Sequence, residues 1–260
     1  MSVAFLPFLL GYSPVAFPHN PLASGDQEQL AALVGVLLLA LFWLFYKVGS
    51  RRKPPQRHRD LYFHAATALC LVAVLGPLDE LAETSAAAHM VQHMLFMVVV
   101  APLWALAHPL PQIAAGGGRF LSLIWQPMFR LTLHPVLAAW LHGAVIWFWH
   151  MPVFYLLALE NPWWHLIEHA CFIISAGLFW WAVLNSTHRN APWALLALLL
   201  TLMHTGFLGA ILTFARAPLY GEGRELEDQQ LAGLIMWVAG AIPYLMASVG
   251  IGSVWYRKIP

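Results

Sequence analysis

The chain has 260 residues, of which 60% are apolar and only 10% charged, and its formal net charge is +1. So little charge cannot solvate a water-soluble domain of this size, which excludes an ordinary soluble enzyme or a nucleic-acid binder and leaves a membrane protein. Both cysteines, Cys70 and Cys171, lie inside apolar runs without CxxC spacing and read as small buried hydrophobes.

The opening SVAFLPFLLG is too short to span a bilayer and has no basic segment before it, so residues 1–28 are expected to form an outer arm. A spanning helix needs about 20 mostly apolar residues to cross the ~30 Å hydrocarbon layer. Seven stretches meet that need, at roughly 29–47, 61–79, 86–107, 134–151, 163–184, 193–214 and 231–255. The expected fold is therefore all-α, one integral membrane domain of seven transmembrane helices with no internal repeat. Polar residues near one end of the second, third and fifth stretches leave their boundaries soft.

Charge orients the bundle. KVGSRRKPPQRHR, after the first stretch, carries Lys47, Arg51, Arg52, Lys53, Arg57 and Arg59. With that loop cytoplasmic, Arg119, Arg130, Arg189, Arg257 and Lys258 fall on the same side, leaving only Arg216 and Arg224 opposite. All carboxylates except Asp60 lie on or near the other side. The positive-inside rule then predicts the N-terminus outside and the C-terminus cytoplasmic.

This topology sorts the thirteen histidines by depth. His58, His108, His134 and His188 fall at the cytoplasmic interface, with His64 just inside it, and His19 lies in the outer arm. His142 and His204 lie near mid-membrane, each alone and so expected to be structural. His89, His93, His150, His165 and His169 all fall at the outer ends of the third to fifth stretches, within about 10 Å of the surface at 1.5 Å rise per residue. HMVQH (89–93) and HLIEH (165–169) each place two imidazoles at i and i+4, on one helical face, where a pair can chelate one ion. His150, in WFWHMP, ends the fourth stretch. Ionisable groups inside a membrane are costly and default to a functional reading. One metal site or two would account for five such imidazoles.

Imidazole suits copper, zinc, iron and nickel. Met90, Met94 and Met151 flank the histidines and would favour Cu(I) as thioether ligands, although methionine is also common membrane-helix filler and Met90 points about 100° away from the His89/His93 face. Zinc is the lesser fit. Asp79, Glu80 and Glu83 precede His89, and Asp228 precedes the last stretch. They would concentrate cations or orient ligating imidazoles, while Asp228 also reads as a simple helix N-cap. Glu168, between two candidate ligands, could serve as ligand, supporting group or base.

Three functions compete on these residues. HLIEH matches the HxxEH zinc-hydrolase pattern, but that leaves His89, His93 and His150 without a role. A b-type haem would need one His from each of two facing helices with room for a macrocycle. Copper handling without turnover, as chaperone, insertion factor or transporter, uses all five. A transporter should also carry ligands deep in the membrane, whereas this cluster is one-sided.

Taken together, PLD (77–79), HMVQH, WHMPVFY (149–155), HLIEH, LGAILTFARAPLY (208–220) and DQQLAGLIMW (228–237) resemble the multi-spanning CtaG family of cytochrome c oxidase assembly factors. The resemblance runs from about residue 76 to the end. The first 60 residues match little, and LAHPLP departs from the family's Gly-Ala-Pro-like segment, which makes His108 a local feature. The resemblance implies a non-enzymatic role in copper insertion into haem–copper oxidases. It also implies His89, His93, His150, His165 and His169 as metal-site histidines, with Asp79 and Asp228 nearby. The implied partners are the oxidase subunit carrying the copper centre and an outer-face copper chaperone, in membrane lipid and without nucleic acid.

Overall fold

The computed structural model describes residues 26–117, 119–221 and 225–258, and all regular structure among them is helical. The arm expected at 1–28 lies outside them up to residue 25. The helices are α1 (Asp26–Arg52), α2 (Arg57–Leu75), α3 (Pro77–Thr84) and α4 (Ala86–Ala107). There follow α5 (Leu110–Gly117), α6 (Arg119–Leu131), α7 (Pro135–Trp149) and α8 (Pro152–Glu160). The last three are α9 (Pro162–Leu184), α10 (Ala191–Thr213) and α11 (Leu226–Tyr256).

Among the described residues α1, α4, α9, α10 and α11 are each long and apolar enough to span, and the count reaches seven only if each of two bent pairs is one span. The second expected stretch, 61–79, is cut at Gly76-Pro77. Proline lacks the N–H that would continue the ladder, so the chain restarts there as α3, bent by 47° from α2. The fourth, 134–151, is shortened to the 15 residues of α7, about 22 Å at 1.5 Å each and below the ~30 Å of hydrocarbon. Pro135 starts α7, Pro152 follows its end, and residues Trp125–Leu131 of α6 pair with it at 108°.

The core lies where α4, α7, α9 and α10 meet, with Ile146, Phe172, Phe179, Leu198 and Leu212 all buried. The outer surface is correspondingly apolar. Leu37, Leu38, Phe120, Met203 and Met246 are exposed, as a lipid-facing shell requires. Small residues let α10 and α11 cross closely: a methyl group built on Gly233 would fall 2.6 Å from the Gly209 carbonyl oxygen.

Two π-helical turns interrupt otherwise regular spans, at Leu95–Val100 in α4 and Ile235–Ala239 in α11. Each accommodates an extra residue, so the two halves of the helix are offset by about 100° from an unbroken α-helix. The Trp180 indole N–H donates to the Met97 carbonyl at 2.8 Å, giving a partner to a group in the first wide turn. Trp180 also stacks on Tyr244, just past the second wide turn, with ring centroids 5.2 Å apart. At the other end of α4, His108 takes a left-handed conformation (φ 50°) and closes the helix immediately before Pro109. The ring of His108 packs edge-on against Trp181 at 4.8 Å.

Candidate metal centre

The first two turns of α4 carry one imidazole pair, and their backbone is fixed from outside the helix. Ser85 is the N-cap, its Oγ accepting from the Ala88 N–H at 3.1 Å. The same hydroxyl donates to Asp228 Oδ1 at 2.8 Å, and the Asp228 carboxylate also accepts from the N–H groups of Ala86 and Ala87. Asp228 therefore sits in the first turn of α11 but caps α4, giving anionic charge to a helix N-terminus not its own. Between the two histidines, the buried Gln92 donates through Nε2 to Asp79 Oδ1 at 2.7 Å and to the Ala73 carbonyl at 2.8 Å. Asp79 and Asp228 are thus positioning groups for the helix that bears His89 and His93. Sequence reading passed over Gln92, although HMVQH contains it.

The second pair stands on α9, whose N-cap Asn161 accepts from the Trp163 N–H at 2.9 Å. One turn on, His165, Glu168 and His169 project together at i, i+3 and i+4. His150 follows the last turn of α7. Its Nδ1–H donates to the Ile146 carbonyl at 2.8 Å, which leaves Nε2 as the lone-pair nitrogen.

These elements converge. Ring centroids are 4.1 Å apart for His89/His93 and for His165/His169, 5.3 Å for His89/His165, 5.5 Å for His93/His169 and 6.4 Å for His93/His150. Glu168 Oε2 lies 3.7 Å from Nε2 of both His89 and His93. Ligand-capable atoms of His89, His93, His165 and Glu168 all lie within 4.8 Å of one another. Four ligands around one ion at about 2.0–2.1 Å stand about 3.3 Å apart, so small side-chain rotations would close the set.

Satisfaction of the polar atoms supports the same arrangement. Both carboxylate oxygens of Glu168, both ring nitrogens of His93, and Nε2 of His150, His165 and His169 are buried without a hydrogen-bond partner. Each such group costs about 1–3 kcal/mol, and a carboxylate enclosed by neutral imidazoles costs more unless a cation or a proton accompanies it. Among the described residues, Glu168 makes ion-pair contacts only with the two α4 histidines. The donor set therefore fits a small, imidazole-preferring cation.

A tyrosine pair covers one side. Tyr155 packs 5.5 Å from the His89 ring and stacks on Tyr220 at 3.8 Å, whose hydroxyl donates to the His150 carbonyl at 3.2 Å. Burial, then Tyr155 and Glu168, raise the Tyr220 phenol pKa and keep that donor protonated. The segment carrying Tyr220 is tied to α11 by Gln229, which accepts from the Leu219 N–H at 2.7 Å, and by Gln230, which donates to the Ala215 carbonyl at 2.9 Å. His165 is only partly buried, so the cluster approaches the surface beside it.

The flanking methionines are placed elsewhere. Met90 belongs to the apolar core, Met151 is exposed, and a methyl on Gly240 would fall 2.9 Å from Met94 Sδ. Met94 thus packs on the second π turn. His64 joins Asp60 at 3.4 Å and Trp43 at 3.3 Å, far along the chain from the cluster.

An all-helical chain with an apolar shell and five to seven candidate spans, enclosing a buried cluster of imidazoles and one carboxylate, is a polytopic helical membrane protein. Its sequence matches the profile of the cytochrome c oxidase caa3 assembly factor (Caa3_CtaG) family over residues 36–258, and the chain belongs to that family. The match starts within α1, well before the region where motif resemblance begins. No curated protein and no solved structure matches the chain.

Proposed function

We propose that this protein holds a copper ion at His89, His93, His165 and Glu168, with His150 and His169 alongside, and supplies it during assembly of a cytochrome c oxidase. The observation that carries the reading is Glu168, wholly enclosed, with Oε2 3.7 Å from two imidazole Nε2 atoms. A bound cation supplies positive charge that neutralises this carboxylate. The imidazoles contribute neutral nitrogen donors, Gln92 and Asp228 hold α4 in register, and the tyrosine pair limits access of water. No reaction is catalysed in this reading.

Copper over zinc rests on the family's oxidase-assembly role, because the methionine sulfurs do not join the cluster. The basic loop after α1 supports placing the cluster at the outer face of a bacterial inner membrane, N-terminus outside. There it could receive copper from an outer chaperone and pass it to the oxidase subunit carrying the copper centre. A hydrolase would need Glu168 to stand off the ion as a base. The facing imidazoles of α4 and α9, with ring centroids 5.3 and 5.5 Å apart, speak against a haem iron between them.

The test is the double substitution His89→Ala/His93→Ala. The protein should accumulate in the membrane, since the change removes polar groups from a spanning helix. Bound copper, measured by mass spectrometry of the purified protein, should fall by the ion the cluster holds. Oxidase from the mutant strain should contain haem but lack copper at the haem–copper centre, with the defect eased by excess copper. Wild-type copper content in both proteins would sink the reading.

A further inference from the structure

Two more histidines lie deeper in the fold, one on α7 and the other packed against the glycine that follows it. His142 lies on α7 and is fully buried. Its Nδ1 is 2.9 Å from the hydroxyl of Ser175 on α9. That hydroxyl also reaches the Phe172 carbonyl, at 3.3 Å, and when it donates there it accepts from His142. With its proton on Nδ1, His142 presents a lone pair at Nε2, an atom that is buried and has no hydrogen-bond partner.

His204 comes from α10. A methyl group built on Gly143 would fall 2.7 Å from His204 Nε2 and 3.0 Å from its Cε1, so the ring rests directly on the glycine next to His142 in the chain. Both ring nitrogens of His204 are buried without a hydrogen-bond partner, and the two imidazoles are near enough to interact electrostatically. Neither makes an ion pair with a carboxylate among the described residues. Along α7 the pair lies about 12 Å below His150, eight residues away at 1.5 Å each. The Phe172 ring packs on the cluster, 4.6 Å from His93 and 6.1 Å from His150, whereas His142 stacks on Phe179 at 5.7 Å.

We propose that His142 and His204 form a second cation site, specific for Cu(I), within the membrane interior. Two neutral nitrogens with no counter-charge suit a monovalent d¹⁰ ion, which accepts two donors in a line. Zinc asks for four ligands and brings twice the charge into a low-dielectric interior. Ser175 fixes the tautomer of His142, as partners of ligating imidazoles commonly do. Gly143 supplies the space for the second ring. The site stands on its own geometry and does not depend on what the Glu168 cluster binds.

The experiment titrates full-length, detergent-solubilised protein anaerobically with Cu(I), and separately with redox-silent Ag(I), counting ions per chain by mass spectrometry. Gly143→Ala keeps every candidate ligand but pushes the His204 ring aside, and His204→Leu removes one donor. Each should bind one ion fewer than wild type. His89→Ala/His93→Ala should retain that ion, with X-ray absorption reporting two nitrogen neighbours. Ser175→Ala should keep the stoichiometry but weaken affinity about 10-fold or more. Wild-type stoichiometry in both Gly143→Ala and His204→Leu overturns the proposal. So does complete loss of binding in the His89/His93 variant, which would leave the cluster reading intact.

Discussion

Glu168 differs from every other carboxylate near the cluster. Asp79 and Asp228 are committed to Gln92 and to the start of α4, whereas both oxygens of Glu168 are buried without a hydrogen-bond partner. Glu168→Gln preserves shape and removes the charge, so it separates a ligand from a packing role. We expect copper affinity to fall by more than about 100-fold, beyond the usual effect of losing a supporting group, while the variant purifies like wild type. Competition against a Cu(I) chelator measures it, and an unchanged affinity would remove Glu168 from the ligand set. The imidazoles themselves were legible in the sequence, because i and i+4 spacing fixes a shared helical face. Glu168 was legible only as one of three roles. Nothing in HLIEH alone says that the α4 histidines, rather than water, face its carboxylate.

The elements were legible where hydropathy is continuous and hidden where the backbone changes period. Five spans stand in the structure as single helices, but Gly76-Pro77 and the short α7 break two expected ones into bent pairs. Neither π turn leaves a trace in composition, since LFMVVV and IMWVA read as ordinary apolar helix. Their support comes from Trp180, whose indole bonds to Met97 across 83 positions of chain. Trp180→Phe keeps most of the ring and deletes that donor. It should cost about 1 kcal/mol, seen as a lower thermal midpoint in detergent. Trp180→Ala also empties a core position and should cost about 3–5 kcal/mol. If Trp180→Phe melts like wild type, the hydrogen bond to the wide turn contributes nothing.

At the scale of the molecule, the site is assembled from distant parts of the chain, and the sequence could bring them together only by depth. That argument placed five histidines at one level but could not foresee that Asp228 would cap α4 instead of α11. The bond partners are 142 positions apart, and side-chain capping across helices has no local signature. Asp228→Ala should lower stability by about 1 kcal/mol and weaken copper binding, because the turn leading to His89 loses its cap. Asp228→Asn, still an acceptor, should recover most of both. Equal losses in the two variants would mean that the charge matters rather than the cap.

That contact also sets an order of events during biosynthesis. The ribosome releases α4 long before α11 exists, so for most of translation the His89 end of α4 has exposed N–H groups and no carboxylate to receive them. Only when the last span has inserted does Asp228 reach Ser85, Ala86 and Ala87, and Gln229 reach the segment carrying Tyr220. A nascent or C-terminally truncated chain would present its histidines in an unfinished seat. On the proposed reading, metal loading would wait until the last span has inserted.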